Sequence, residues 1–483
     1  MKNLITSCLF LVVITTAFTQ EKKWTLQECV QFAIDNNITI KQTELTKETA
    51  ELERKDAIGG LLPSLNGNAS NNFISGLTQN VTTGVLENQT TRNSSYSLNL
   101  GYNLFDGFRN YNQLSRAKLR KISADYQIAQ IKDDISLNVA IAFLQVLLNK
   151  EQVGVVKTQN AVTKEQIART KELVDGGVLP RGDLLEIQAT DANEEQRIVA
   201  AENAVKISLI SLAQLLAFDD YENFDIVDAN YEVQGVEVVN VAPDVLIARA
   251  KETRYDIQVA EQNEAIALKD VEISKGAYYP TLSFGINYNT RESGFNPVVP
   301  VLDPNNPFVL GDVPIGQTAS GESIFGFQQN ITGFQELNPD PFFTQLYTND
   351  GLGYGFALNV PIFNGFSVRN NVERSKVALK QAQFQTEQAK LNLETAVYQA
   401  YTDAQAAKES YKAAQTALES QELAYAYAKD RYDVGLTNAF DFSQSKQRYD
   451  NAQIELSRSK YDYIFRIKVL ELYFGIDATQ LKF

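Results

Sequence analysis

Leu100 to Lys118 runs LGYNLFDGFRNYNQLSRAK, and Leu358 to Lys376 runs LNVPIFNGFSVRNNVERSK. At an offset of 258 the pairs Leu100/Leu358, Phe105/Phe363, Gly107/Gly365, Phe108/Phe366, Asn112/Asn370, Arg116/Arg374 and Lys118/Lys376 are identical. The offset persists at Gly177/Gly435 and Asp183/Asp441, so the intervening lengths match to the residue. A repeat of that size means two copies of one structural unit in one assembly. The first copy is placed at residues 21–242 and the second at 243–483.

Outward from the corners Phe105-Asp106-Gly107-Phe108 and Phe363-Asn364-Gly365-Phe366, two kinds of pattern appear. On the C-terminal side, Gly107 to Gly177 and Gly365 to Gly435 contain no proline. As helix, each runs ~105 Å at ~1.5 Å per residue. Ile128, Ile131, Ile135, Val139, Ala142 and Val146 step by three and four, as do Ala389, Leu393, Ala396, Ala400, Ala404 and Ala407. Such stripes alone mean ordinary helix packing, but helices of that length do not fit a compact domain and predict a rod or tube. Four shorter helices are expected at Trp24–Ile58, Asp183–Ala217, Pro243–Gly276 and Asp441–Gly475. Two laid end to end match one long arm. Their joints, near Phe218–Val241 and Ile476–Phe483, are expected to wrap the tube's middle.

On the N-terminal side the period changes to two. Tyr96, Leu98, Leu100, Tyr102 and Leu104 alternate with small or polar residues, as do Leu282, Phe284, Ile286 and Tyr288, and Leu352 through Ile362. Leu65, Gly67, Ala69 and Phe73 make a weaker fourth strand. Apolar residues on one face and polar ones on the other suit an outer-membrane strand, although a soluble sandwich gives a similar period. Four strands cannot close a barrel, and an open edge is not viable in lipid, so oligomerisation is required. The subunit number does not follow from that count. Pro63 pairs with Pro280 at an offset of 217, which places the 41-residue difference in a second-repeat insert at about 291–351. The expectation there is a surface loop facing the exterior, with a partly folded cap as the alternative.

Composition narrows the function. Residues 1–20 have the form of a secretory signal peptide: Lys2, an apolar Leu4–Phe18 and small residues near Gln20. Beyond it Cys29 is the only cysteine, and the chain has no histidine, which removes intramolecular disulfides, thiolate clusters, imidazole bases and His-containing zinc sites. The carboxylates form no compact motif, so no catalytic, cofactor or metal site is expected. The net charge of −15 argues against nucleic acid.

The corners Leu104-Phe105-Asp106-Gly107-Phe108 and Ile362-Phe363-Asn364-Gly365-Phe366, with Arg431-Tyr432-Asp433-Val434-Gly435-Leu436-Thr437, Asp441 and Leu472-Tyr473-Phe474-Gly475, resemble the TolC family of bacterial outer-membrane efflux proteins across the mature chain. That resemblance implies a mostly α protein with membrane β structure: a homotrimer whose helical barrel continues into a twelve-stranded outer-membrane barrel, four strands per chain. It implies a passive exit duct that contacts outer-membrane lipid, docked to a periplasmic adaptor (a membrane fusion protein) and an inner-membrane transporter. Gly176, Gly177, Val178, Leu179, Arg431, Tyr432, Val434, Gly435, Leu436 and Thr437 then form adaptor-binding tips. The first turn departs from the family pattern, with an extra glycine, Pro180, and Leu173-Val174 where the second has Arg431-Tyr432. Asp183, Glu186 and Asp441 fall where the family places acidic residues near the tip constriction. For Asp183 and Asp441, helix capping is an equal alternative; for Glu186, a solvated helix face is. Among other function classes, a trimeric coiled-coil surface stalk conflicts with the duplicated strand pairs, and a membrane enzyme lacks a catalytic constellation.

Overall fold

The computed structural model describes residues 22–79, 86–228 and 236–475. The signal-peptide reading of 1–20, the segment Ile476–Phe483 and residues 229–235 of the first joint lie outside them. The first repeat comprises β1 (Lys23–Trp24), α1 (Leu26–Asn36), α2 (Ile38–Gly59), β2 (Ser64–Gln79), β3 (Leu86–Phe105), α3 (Arg109–Asp175), α4 (Arg181–Leu216) and β4 (Asp225–Ile226). The second begins with α5 (Val236–Val239), α6 (Pro243–Thr253), α7 (Tyr255–Gly276) and β5 (Thr281–Ser293). Its insert holds β6 (Val298–Leu302), β7 (Phe308–Gln317), β8 (Ser323–Gln329), β9 (Ile331–Glu336) and α8 (Phe342–Thr348). It ends with β10 (Gly351–Asn359), α9 (Ser367–Asp433) and α10 (Ala439–Tyr473). The long arms α3 and α9 have 67 residues each.

The chain divides into a helical unit (Met1–Glu53, Ala117–Leu268 and Val377–Phe483) and a strand unit (Arg54–Arg116 and Lys269–Lys376). In the helical unit, the predicted stripes become core. Val139, Phe143 and Val146 of α3 bury against Cys29 and Ala33 of α1, Leu212 and Leu216 of α4, and Ile226. Leu393, Val397, Ala400, Ala404 and Ala407 of α9 bury against Leu246 and Ala250 of α6 and Ile467 and Leu470 of α10. The small alanines on α9 allow close helix approach.

Two of the four expected short helices are each broken in two, which corrects the sequence reading. The breaks are Asn37 and Arg254, both in extended backbone conformation. They are 217 apart, the N-terminal repeat offset. Each break residue also ties down the end of its repeat's second short helix. Asn37 accepts from the Thr39 backbone N–H (2.9 Å) and donates Nδ2–H to the Leu215 carbonyl (3.0 Å). Arg254 donates to Asp256 (2.8 Å) and lies over the Tyr473 ring, 5.6 Å from its centroid. Leu215 and Tyr473 are themselves 258 apart. An extended residue whose side chain satisfies the backbone or an acid at the next helix start ends one helix and begins another.

In the strand unit, the four expected strands form one antiparallel sheet in the order β10-β5-β3-β2. The register aligns the apolar positions into rows: Leu65, Leu100, Ile286 and Tyr354 lie side by side, next to a row of Gly67, Leu98, Tyr288 and Leu352. The opposite face carries Asn66, Asn99 and Asn287 in line, with Asn287 donating to Asn99 and Asn289 donating to Asn287. β10 ends at Asn359, short of the expected Ile362; Pro361 has no N–H for a ladder. Among the described residues, the outer edges of β2 and β10 have no strand partner.

The insert is folded, which corrects the expectation of a loop in favour of its alternative. β6 pairs with β9 and β7 with β8, both antiparallel. Asn330 closes the hairpins, its N–H donating to the Pro307 carbonyl (2.9 Å) and its carbonyl accepting from Asp303 (2.9 Å). The buried Gln345 of α8 clamps the insert to β5, accepting from the Ser293 N–H (2.9 Å) and donating to the Ser293 carbonyl (3.0 Å).

Candidate functional site

The long helices end in the same turn. In the first, the Gly177 N–H donates to the Val174 carbonyl (3.0 Å) and the Val178 N–H to Leu173 (2.8 Å). In the second, Gly435 donates to Tyr432 (3.0 Å) and Leu436 to Arg431 (2.8 Å). This pair of bonds is the Schellman arrangement, which closes the helix's last carbonyls through a left-handed residue. Gly177 and Gly435 supply it with φ of 75° and 76°. A Cβ at either would meet nothing within 4 Å, so the dihedral alone selects glycine.

Val178, Val434 and Leu436 project from these turns exposed, as do Leu185 and Phe440 on the following helices. Gly176, Arg431 and Glu186 are also exposed, whereas Leu179 and Thr437 are half-buried. Tyr432, expected among the docking residues, is only 1% exposed. Its ring stacks on Phe442 (4.9 Å between centroids), and its hydroxyl lies 3.1 Å from that of Thr170. Burial raises its pKa, partly offset by the bond to Thr170. Tyr425 stacks on Tyr449 at 5.2 Å, and burial pushes its hydroxyl up to about 12. With Ile187, Ala439 and the half-buried Ile167 and Leu179, these residues form a small core that fixes one hairpin against the other.

Asp183 is half-buried and Asp441 exposed; each is the third residue of its helix. Neither is the cap. α10 is capped by Asn438, whose side chain accepts from the Asp441 N–H (2.8 Å), and α4 begins after Pro180 with no side-chain cap. The carboxylates sit at the positive helix ends without that hydrogen-bonding duty.

A charged cluster that sequence reasoning missed lies deeper in the hairpins. Lys446 donates to Glu194 and to Asp450, both at 2.8 Å, and all three side chains are buried to within 8%. Asn160 donates to Glu194 (3.3 Å) and Asp191 (2.8 Å). Burial raises the Asp450 pKa, and nearby Glu194 adds to it; attraction to Lys446 offsets these only in part. The cluster lines a cavity of about 210 Å³ together with Glu186, Asn193 and Arg197. A signal was available: Ala439, Phe442, Lys446 and Asp450 lie on one stripe of α10 at steps of three and four. A charged pair on a buried stripe needs polar partners on the facing element to satisfy its remaining hydrogen bonds.

The strand–helix corners repeat as closely as the tips. Gly107 and Phe108 both have positive φ, as do Gly365 and Phe366. Phe105 meets Phe108 edge-on at 5.2 Å, and Phe363 meets Phe366 at 5.7 Å. A Cβ on Gly107 would come within 2.2 Å of the Gly276 carbonyl oxygen, so space as well as dihedral selects glycine there.

The sequence profile of the outer membrane efflux proteins matches residues 29–217 and 246–474, one match per repeat. The chain belongs to the outer membrane efflux protein family. Among its relatives, outer membrane protein TolC of Vibrio cholerae is 22% identical over 378 residues, covering 76% of this chain and 73% of TolC. The crystal structure of CusC superposes with a TM-score of 0.74 at 15% identity, covering 95% of each chain. The CmeC outer membrane channel of Campylobacter jejuni gives 0.72 at 17% identity, covering 93% of this chain and 85% of CmeC. The fold is thus that of the outer-membrane efflux channels, and membership of the family places the protein in the outer membrane.

Proposed function

We propose that three copies of this chain close into a twelve-stranded outer-membrane barrel continuous with a helical duct across the periplasm. The duct conducts substrates passively from an inner-membrane pump to the exterior, and a periplasmic adaptor docks on the exposed residues of the two tip turns. The observation that carries this reading is the four-stranded sheet. Among the described residues both its edges are unpaired, one face is a set of exposed apolar rows, and the other is lined by asparagine and serine. Exposed apolar rows and open edges are compatible with lipid only if neighbouring copies complete the ladder. A coiled-coil surface stalk would have no use for such a sheet. Membership of a family of channel proteins supports the conducting role.

The test is assembly and conduction by the mature protein. In detergent it should have three times the chain mass, and in planar bilayers it should form discrete conducting units. A stable monomer that keeps its β signal, or a trimer that never conducts under any applied potential, would overturn the proposal.

A further inference from the structure

The short helix α8 packs on the sheet face that carries the apolar rows. Its Phe342 ring meets Tyr96 edge-on at 6.2 Å, and its Leu346 carbonyl accepts from the Thr290 hydroxyl at 2.6 Å. Tyr96 and Thr290 are register partners on β3 and β5, and they continue the face of Leu98 and Tyr288. The next pair on that face is Ser94 and Glu292, and there the chemistry changes. Glu292 is buried, paired with Arg92 and accepting from Ser94 (2.9 Å). On β3 and β5 the apolar band therefore runs from the Phe105 corner to Tyr96 and Thr290 and stops. Nine residue-to-residue steps at ~3.3 Å make about 30 Å along the strand, or roughly 23 Å along the membrane normal at a tilt near 40°. An outer-membrane barrel presents a band about 25 Å tall with aromatic girdles at both ends.

We propose that α8 is an interfacial anchor, lying where the headgroups of the outer leaflet meet its acyl chains. Phe343 and Tyr347 are four residues apart, on one side of α8, and are 81% and 83% exposed. The helix sequence FFTQLYT contains no charge, while Asp340 and Asp350 flank it on either side. Aromatic rings with a polar handle favour that boundary, and flanking acids favour the water beyond it. The Gln345 clamp, joined by Asn349 donating to the Arg291 carbonyl (3.1 Å), fixes α8 to the end of β5, so its depth follows that of the barrel. Because the insert belongs to the second repeat alone, a trimer carries three such anchors. This inference rests on the reading that the sheet's apolar face meets lipid.

Depth-dependent quenching tests it. F343W and Y347W, with Y354W as a mid-band control, are placed singly in the mature protein and reconstituted into phosphatidylcholine vesicles brominated near the top or near the middle of the acyl chain. The emission of native Trp24 is subtracted using the parent protein. F343W and Y347W should emit blue-shifted light and be quenched at least twofold more by the shallow bromines than by the deep ones; Y354W should show the reverse order. If Y354W is quenched by lipid while F343W and Y347W respond only to aqueous acrylamide, or to neither quencher, the anchor is overturned and the lipid-facing sheet stands. If all three escape the bromines, both readings fall.

Discussion

Replacing Lys446 by methionine removes the only cation that donates to the buried carboxylates Glu194 and Asp450 among the described residues, with little loss of volume. Both acids approach the ammonium to 2.8 Å and are nearly inaccessible to water, so solvent cannot take its place. Breaking a buried pair by removing one partner costs about 3–5 kcal/mol, because the charge left behind is desolvated and unpaired. Even 3 kcal/mol is roughly a 100-fold change in an opening equilibrium. Hydrogen exchange is the suitable assay, since it reads local opening without requiring two-state unfolding of the whole molecule. Amides around Glu194 and Lys446 in K446M should exchange about 100-fold faster at neutral pH, while those of the sheet are unchanged. The pH dependence has a definite sign. The folded-state pKa of Asp450 lies above its ordinary value, so its favourable contribution is complete below the unfolded pKa and is lost as pH rises through the folded one. Without Lys446 its attraction no longer offsets that burial, and the Asp450 carboxyl shifts further upward. The K446M deficit should therefore be largest near pH 7 and shrink toward about pH 4. K446M/E194Q/D450N should recover most of the protection, because a neutral cluster has no stranded charge. A deficit independent of pH, or a triple variant as labile as K446M, would refute the electrostatic account.

If Asp183 and Asp441 face the lumen, D183N/D441N should abolish cation selectivity in planar bilayers with little change in stability, because neither carboxylate caps its helix; unchanged selectivity removes both from the pore. N438A, which takes away the actual cap, should destabilise α10 by about 1 kcal/mol in thermal denaturation. Y432A should cost about 3–5 kcal/mol and loosen both tip hairpins in hydrogen exchange, whereas Y432F, losing only the Thr170 bond, should cost about 1 kcal/mol. Deleting Asn296 to Ile315 removes β6 and most of β7, leaving β8 and β9 unpaired, and should promote aggregation. Deleting 295–337 instead removes both hairpins whole, keeps α8, and should leave the trimer intact on native gels.

The order of elements was legible in the sequence because its signals are local and duplicated. The corners around Gly107 and Gly365, the turns at Gly177 and Gly435 and the four alternating strands follow from glycine dihedrals and side-chain period alone. The breaks at Asn37 and Arg254 were not legible. Each residue bonds locally to the next helix start but is also held by a partner far along the chain, the Leu215 carbonyl and the Tyr473 ring, and the local signal alone is too weak to place a break. The folded insert was hidden by its prolines and glycines, which suggest a loop until Asn330 and Gln345 find their partners. At the tip, Arg431-Tyr432 looked like one exposed pair. The helix instead turns Arg431 outward and Tyr432 inward, because successive residues lie 100° apart and only one of them meets Phe442.

The divergence of the two repeats at the tip follows from that same core. Tyr425, Tyr432, Phe442 and Tyr449 occupy positions whose first-repeat equivalents, 258 residues earlier, are Ile167, Val174, Leu184 and Asp191. Rings from α9 and α10 thus meet an aliphatic surface provided by Ile167, Leu179 and Ile187. Two aromatic hairpins would overfill such a contact, and two aliphatic ones would leave voids; either mismatch costs packing energy. The hairpins are therefore complementary, and they also specify their neighbour. In the proposed trimer six hairpins alternate around the tip, so the seam within a chain and the seam between chains differ in composition. An adaptor docking on Val434, Leu436 and Val178 then meets two unlike grooves, each repeated three times. The unequal spelling of the two turns, Gly177-Val178-Leu179-Pro180 against Gly435-Leu436-Thr437-Asn438, makes the same distinction on the outer surface.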